Sequence, residues 1–484
     1  MSSNKFNVIK LLQQETNNDK DIVYRKKTIN NEQIYIVYDD SLTGNDKISD
    51  FIIRSLDSIS YRYEKKDNLY NIVLNDINNF KVIEITTYKD ICYYLHNGFT
   101  LIIFENNKYV ALETKKNLSR SISEPNTETT LRGAMDSFVE EIQTNTGLIK
   151  RRIKDNNLWS ISNNIGKYTK TKVTIMYING ICKKELVDKI NELINKIDID
   201  GIVASGNIKN LIEKENKSVF PTILTTQRPD KAANSLLEGK IVIIVDGSPY
   251  VLIIPAVLND FFLNSEDMSM KSINISYTRI IRYIAFFISI LTPALYIAIT
   301  TFNQELLPTD LLINFASQRE NVPFPAFFEA LIMILSFEIL RESNLRIPSF
   351  SSSALSIVGA LILGEAAVNA GIVSPIMIIV VSITAISALP FTEPELINGL
   401  RWWRLAFMFA AAILGLVGVN LMLICFTLKL SSIESFNIPY LTPFAPTFKE
   451  GLKNSFIKFP EKKLTKRKKY LSNNIIKEEQ WKKH

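Results

Sequence analysis

The sequence predicts an α/β cytosolic N-terminal region of two small modules, followed by an α-helical polytopic membrane domain and a basic cytosolic tail. Three observations carry that reading. From residue 272 to residue 428 there is no lysine, although Lys and Arg together number 56 in the 484-residue chain. The net charge is +1 over 1–271, −2 over 272–428 and +8 over 429–484, so the basicity is concentrated in a tail behind an apolar block. Ahead of that block, short alternating runs and helical periodicities separated by turn residues fill 34–270, the pattern of packed strands and helices. A chain of this length also sets a prior of about three structural units.

Residues 1–33 are rich in Asn and Lys and poor in apolar side chains, which predicts a mobile leader. They contain no apolar stretch of signal-peptide length and no small-residue cleavage site, so the first 270 residues are expected in the cytosol. The first α/β module is placed at 34–118. Its strand candidates are 33–39 (QIYIVYD), 101–104 and 109–113, the last two flanking the turn Glu105-Asn106-Asn107-Lys108. Residues 119–130 offer almost nothing to bury and read as a linker.

The second module is placed at 131–270. Phe138, Ile142, Leu148, Ile149 and Ile153 predict a helix within 135–153. Strand-like 172–178, helical 184–197, and strand-like 199–204, 220–225 and 240–245 follow. That alternation predicts a mostly parallel sheet. Pro229 suits the first turn of a helix that Gly239 ends, and Asp246-Gly247-Ser248-Pro249 reads as a turn between two apolar runs. No glycine-rich phosphate loop follows any strand, so a small ligand held by Asp246 and Arg228 is the weaker reading.

The membrane domain is placed at 279–428. Five apolar segments, 283–301, 324–340, 355–370, 372–390 and 405–428, approach or reach the roughly 20 residues a helix needs to cross the hydrocarbon core. Arg279 and Arg282 ahead of the first put the N-terminal region in the cytosol, and the tail's KKLTKRKK at 462–469 asks for the same side. Five crossings would separate the two. One segment is therefore expected not to cross fully, with 355–370 the first choice and 324–340 the second.

Ser352, Ser356, Ala360 and Gly364 repeat every four residues and form a ridge for close helix packing. Leu361, Glu365 and Asn369 share the neighbouring face. A carboxylate at such depth costs several kcal/mol unless water, a partner or a pore meets it, so these three and Glu329 are candidates for lining a pathway. Glu329 and Glu338 are nine apart, on opposite faces, and Glu338 is expected to pair with Arg341. Arg401, Trp402, Trp403 and Arg404 read as an anchor at the membrane interface. Pro293 predicts a kink in the first crossing.

Several function classes are excluded. The cysteines Cys92, Cys182 and Cys425 lie far apart without metal-ligand spacing, and the histidines are His96 and His484 alone. No catalytic residue, cofactor site or metal site is expected, and a basic tail behind an apolar block points to anionic lipid rather than nucleic acid.

The stretches PALYIAITTFNQELLPTDLL at 293–312, SQRENVPFPAFFEALIMILSFEILRES at 317–343, SIVGALILGEAAVNAGIVSPIMIIVVSITAIS at 356–387 and TQRPDKAANSLLEGKIVIIVDGSPYVLIIP at 226–255 make the chain recognisable. It resembles the A subunit of the spore germination receptors, the GerA family, from about Leu131 to Leu428. It departs from that family's usual pattern at Gly133-Ala134, where Gly-Pro is common, after the Glu-Asp preceding Met268-Ser269, where aromatic residues are common, and at Ser351-Ser352-Ser353, where a glycine is common. The resemblance implies a nutrient-responsive complex in the inner membrane of a bacterial endospore. It implies a transporter-like B subunit and a lipoprotein C subunit as partners, nutrient recognition mainly in the B subunit, and oligomerisation of the A subunit into an ion channel. A non-conducting scaffold and a secondary transporter of the nutrient are the alternatives.

Overall fold

The computed structural model describes residues 7–29, 32–62, 69–77, 81–116, 128, 130, 133–213, 218–268, 270–344, 364–460 and 466–472. The first module is a five-stranded antiparallel sheet of β1 Ile22–Ile29, β2 Glu32–Asp39, β3 Val82–Ile85, β4 Phe99–Phe104 and β5 Tyr109–Glu113, in the order β1-β2-β4-β5-β3. Helices cover both of its faces. Ile102 and Phe104 of β4 point into the cluster under α2 (Arg54–Arg62) and α3 (Leu69–Asp76). Leu101 and Ile103 point the other way, under α1 (Asn7–Glu15) and α4 (Tyr88–Leu95). Alternation along the strand puts consecutive residues on opposite faces, so a fully apolar strand such as FTLIIF belongs in the middle of such a sandwich.

The expectation of a leader over 1–33 is corrected for 7–29. Ile9, Leu12, Ile22 and Ile29 are buried, α1 caps one face, and β1 pairs with β2 along its whole length. Few apolar residues suffice there because β2 supplies the ladder and the other module supplies ionic partners. Lys150, at the end of α5 (Ile142–Lys150), reaches Asp19 at 2.9 Å, Asp21 at 3.2 Å and Asp39 at 3.0 Å, all buried. Burial alone would lower the Lys150 pKa, but the three carboxylates outweigh it and hold the ammonium well above the ordinary lysine range.

The second module carries β6 Leu158–Ile165, β7 Thr171–Ile178, β8 Leu224–Thr226, β9 Ile241–Val245 and β10 Val251–Ile254, in the order β6-β7-β9-β10-β8. Every pairing is antiparallel, which corrects the expected parallel sheet. The reason is local: β6 and β7 form one hairpin, and β9 and β10 form another through the 246–249 turn, where Gly247 has φ +78°. Helices α6 (Lys184–Asn195), α7 (Ser205–Ile212) and α8 (Pro229–Leu237) pack on it. Pro229 opens α8 and Gly239, at φ +96°, follows its end, as expected. Residues 199–204 form no strand, and α5 is shorter than the pattern over 135–153 predicts. Of the expected linker, Glu128 is described, and it is buried against Lys231 at 2.7 Å.

The helical part follows: α9 Ser272–Thr301, α10 Thr309–Arg319, α11 Ala326–Asn344, a helical turn at 364–369, α12 Pro375–Ile386 and α13 Pro394–Ser432. By length and composition α9 and α13 are apolar enough to cross a membrane, with mean hydropathies of 2.0 and 2.4. However, α13 is two helices. Gly415 takes φ +59° and ψ −139°, and the rings of Trp403 and Phe426 stand 4.9 Å apart. A straight helix would hold residues 23 apart at roughly 34 Å. The chain therefore reverses at Gly415, and the expected single rod over 405–428 is a hairpin.

The bundle's course can be followed from its contacts. Tyr283, early in α9, stacks on Phe262 of the second module, and Phe302, at its end, sits against Gly415. At that far end Arg319 meets Glu329, at the start of α11, and Ser374, just before α12, meets it too. α12 then leads back to Phe391, whose ring lies 5.6 Å from Phe262. The two arms of α13 go out and return, and residues 433–460 and 466–472 settle on the second module, with Lys468 2.9 Å from Glu238 and the Ser472 hydroxyl donating to the Ile181 carbonyl.

Replacing Lys150 with methionine leaves Asp19 and Asp39 without a cation and Asp21 with Lys172 alone at 3.6 Å, and a broken buried pair costs about 3–5 kcal/mol. We expect Lys150→Met to lower the denaturant midpoint accordingly and to expose α1 and β1 to protease. Because the folded Lys150 pKa exceeds the unfolded one, its contribution is whole below about pH 10.5 and is lost as pH rises toward the folded value. At the acid end the latch weakens as Asp39, whose carboxyl burial pushes upward, takes up a proton. An unchanged midpoint would show that the cage contributes nothing.

Candidate functional site

Proline lacks an N–H, so Pro293 inside α9 cannot donate to the carbonyl four residues back, which belongs to Ser289. A buried carbonyl left unpaired is costly. Arg404 fills the gap: its Nε donates to the Ser289 carbonyl at 2.7 Å, and its side chain is 5 % exposed. Arg401, three residues earlier, meets Glu338 at 2.9 Å, and Glu338 also meets Arg341 at 3.0 Å, the local pair expected from spacing. The four residues 401–404 thus point in different directions. Trp402 faces outward, Trp403 packs on Phe426, and the two arginines hold α9 and α11.

Glu329 is fully buried. Its Oε1 accepts from Arg319 at 3.2 Å, and its Oε2 accepts from the Ser374 N–H at 3.0 Å and hydroxyl at 2.9 Å. A carboxylate at the start of α12 also complements that helix's dipole. Glu329 is thereby committed to closing the far end of the bundle and presents no open face to a pathway.

Glu365 and Asn369 stand differently. Both are exposed on the helical turn 364–369, four apart and so on one face, while Gly364 is buried against Ile378 of α12. Ser352, Ser356, Ala360 and Leu361 lie outside the described residues. Within the chain, the packing ridge and the carboxylate face therefore separate at this turn: Gly364 points in, and Glu365 with Asn369 point out.

A second set of groups ties this bundle to the second module. Lys209 of α7, 4 % exposed, reaches Glu393 at 3.2 Å and Glu395 at 2.7 Å, and the Thr225 N–H donates to Glu393. Burial pushes the Glu393 carboxyl upward, and Lys209 only partly offsets it. Gly399 completes the junction, since a Cβ there would fall 2.9 Å from the Val219 carbonyl. Sequence reasoning missed this junction because its partners are 184 residues apart; the one local signal is the pair of carboxylates flanking Pro394.

Between the two modules lies an open cleft of about 680 Å³, lined by Glu15, Tyr88, Cys92, His96, Asn156 and Trp159. Its polar groups are paired with one another: His96 with Asn156 at 2.5 Å, and Tyr88 and Asn156 each donating to Glu15. Among the described residues no group of His, Cys, Asp and Glu has the arrangement to hold a metal ion.

The chain matches the family model described as "Bacillus/Clostridium GerA spore germination protein" over residues 10–470. Spore germination protein KA of Bacillus subtilis (strain 168) is 44% identical over 361 residues, which is 74% of this chain and 66%, just under two thirds, of that protein. Spore germination protein B1 of the same organism is 35% identical over 89% of each chain. Spore germination protein GerLA of Bacillus cereus is 33% identical over 97% of this chain and 96% of its own. The crystal structure of the N-terminal domain of the A subunit of the Bacillus megaterium spore germinant receptor GerK3 aligns with 52% of this chain and 94% of that one, at 33% identity and a TM-score of 0.41.

The Arg404 bond to Ser289 is testable by a double-mutant cycle. Arg404→Met should cost about 1–3 kcal/mol through the orphaned carbonyl, read as a lower melting temperature of the purified protein. Pro293→Ala restores the helical donor, so the double variant should recover most of that loss. Additive losses would break the link between the two residues.

Proposed function

This chain belongs to the GerA family of spore germination proteins, and from that premise we propose that it is the A-type membrane subunit of a nutrient-responsive germination receptor. It works in the spore inner membrane beside a transporter-like B subunit and a lipoprotein C subunit, and several copies assemble into a ligand-gated ion channel.

The observation that carries the channel reading is the outward placement of Glu365 and Asn369. A carboxylate beside the uncharged run 366–392 is tolerable in a membrane only where water or another protein surface meets it. Glu329 has its cover within the chain; Glu365 does not have an ion-pair partner among the described residues. Copies arranged so that the 364–369 turns face a common axis would give these groups water and give an ion a polar path.

The membrane reading rests on the surface of the bundle. Ile280, Ile281, Ile284 and Phe287 of α9 are exposed, as are Ile413, Leu414, Val417, Leu421 and Ile424 of α13. Exposed apolar area on this scale belongs in lipid or in an interface. With the reversal at Gly415, α13 leaves and rejoins the side on which the second module lies, so that module and residues 466–472 share one side, which we read as cytosolic from the basic run. The parity that the charges demand then comes from a doubled last segment, and no earlier segment needs to stop short.

Reconstitution in liposomes with the B and C partners tests the proposal. Nutrient should trigger ion flux only when this subunit is present, and Glu365→Ala should lower that flux several-fold or change its selectivity with assembly intact. Flux from the partners alone would assign conduction elsewhere, and a normal Glu365→Ala current would remove that residue from the path.

A further inference from the structure

The last described segment of chain before the basic run carries an apolar pair that the fold leaves uncovered. Residues 449–460 begin with one helical turn, Lys449–Leu452, and hold Phe456 at 41% and Ile457 at 51% exposure. Their position is fixed by hydrogen bonds to the base of α9. Arg279 donates to the Asn454 carbonyl at 2.9 Å and to its side-chain oxygen at 3.0 Å, and the Lys458 N–H donates to the Ser276 hydroxyl at 3.0 Å. The Phe456 ring lies 4.3 Å from that of Tyr283. The ring also lies 5.0 Å from that of Phe444, so Phe456 is packed along one side and open along the other, while Ile457 stands in the open.

Their surroundings say what meets them. On the adjoining face of α9, Ile273, Tyr277, Ile280, Ile281 and Ile284 are exposed, so the pair extends an apolar surface. Lys271, Lys449 and Lys453 are exposed around it, and Glu450 is the single carboxylate in 449–460. Asp267, nearby, is already held by Arg279 and Arg282. Apolar side chains rimmed by lysines at the end of a membrane helix match the cytosolic leaflet, where acyl chains lie beneath anionic phosphates.

We propose that residues 449–460 form an anionic-lipid contact, with Phe456 and Ile457 entering the acyl region while Lys449 and Lys453 meet headgroup phosphates. This rests on the membrane placement of α9. The occupant is lipid and not a second protein because the surface continues the lipid-facing side of α9 and its charge complements an acidic bilayer. The segment thereby sets the depth at which the head sits and ties it to the surface charge of the membrane.

The test uses the full chain with Cys92, Cys182 and Cys425 replaced by alanine and an environment-sensitive fluorophore on I457C, or on I284C as a reference. The protein is placed in phosphatidylcholine vesicles with and without phosphatidylglycerol. Spin-labelled forms of each lipid should quench both probes, and aqueous iodide should quench neither. At I457C the phosphatidylglycerol quencher should be preferred, and K449Q/K453Q should reduce that preference about fivefold or more, taking each lysine near the surface as worth about a factor of five. A probe at 457 open to iodide while 284 is shielded overturns this inference and spares the membrane reading. Both probes open to iodide overturn both. Shielding of 457 from iodide and lipid alike marks a protein contact and rejects the lipid, and equal quenching by the two lipids rejects the anionic preference.

Discussion

The return of the chain to its own second module depends on one backbone reversal. At Gly415 the backbone adopts φ +59° and ψ −139°, a region that a side chain all but forbids. The same turn needs a second glycine: a Cβ on Gly418 would fall 2.1 Å from the Ala410 carbonyl oxygen. Asn303, just past α9, accepts the Leu416 N–H at 3.4 Å, so the end of one helix caps the start of another. Unreversed, the 39 residues of α13 would make a rod of roughly 58 Å, and the tail would end far from the module it packs on. The tail's contacts with Glu238 and Ile181 exist because the chain comes back.

Charge is used in this chain mainly to join segments that are distant in sequence. Lys150 holds the first module to the second, Lys209 holds the second module to the start of α13, and Arg279 and Arg282 hold the base of α9 to Asp267 and the tail. Each is a buried group with more than one acceptor. Buried ion pairs are a weak source of net stability but are expensive to break singly, which makes them good at fixing which surfaces meet. The Lys209 junction sits where the second module touches the helices. A displacement of α7 has a charged connection to α13, and through Arg404 to the proline-opened turn of α9.

The sequence disclosed what local pattern controls. β2 follows alternation, β4 and β5 flank a turn, α8 follows Pro229 and Gly239, and the lysine-free block marks the helical part. It hid what depends on partners far along the chain. Ile9, Leu12, Ile22 and Ile29 are too sparse to announce a helix and a strand, and they are ordered by β2 and by a lysine more than 100 residues away. Antiparallel pairing in the second module was equally concealed, since a strand's own alternation is the same in either direction. The Gly415 turn lies inside an uncharged run as long as a membrane crossing, and glycine is ordinary in membrane helices. Of the candidate site, the outward face of Glu365 and Asn369 was legible as a spacing of four, whereas the sealing of Glu329 required Arg319 and Ser374 to be brought to it.

The contrast between those two glutamates bears on assembly. Each is an acidic group set among apolar residues, and each has the same cost of leaving water. Glu329 recovers that cost inside its own chain, from a guanidinium, a hydroxyl and a backbone N–H. Nothing about it asks for a second copy. Glu365 is exposed, with Gly364 turned inward on the same helical turn, and it has no ion-pair partner among the described residues. In the bilayer placement proposed above, water or a protein surface would have to meet it. That requirement is the electrostatic support for the proposed association around a wet axis, and it stands apart from any shape complementarity between the helices.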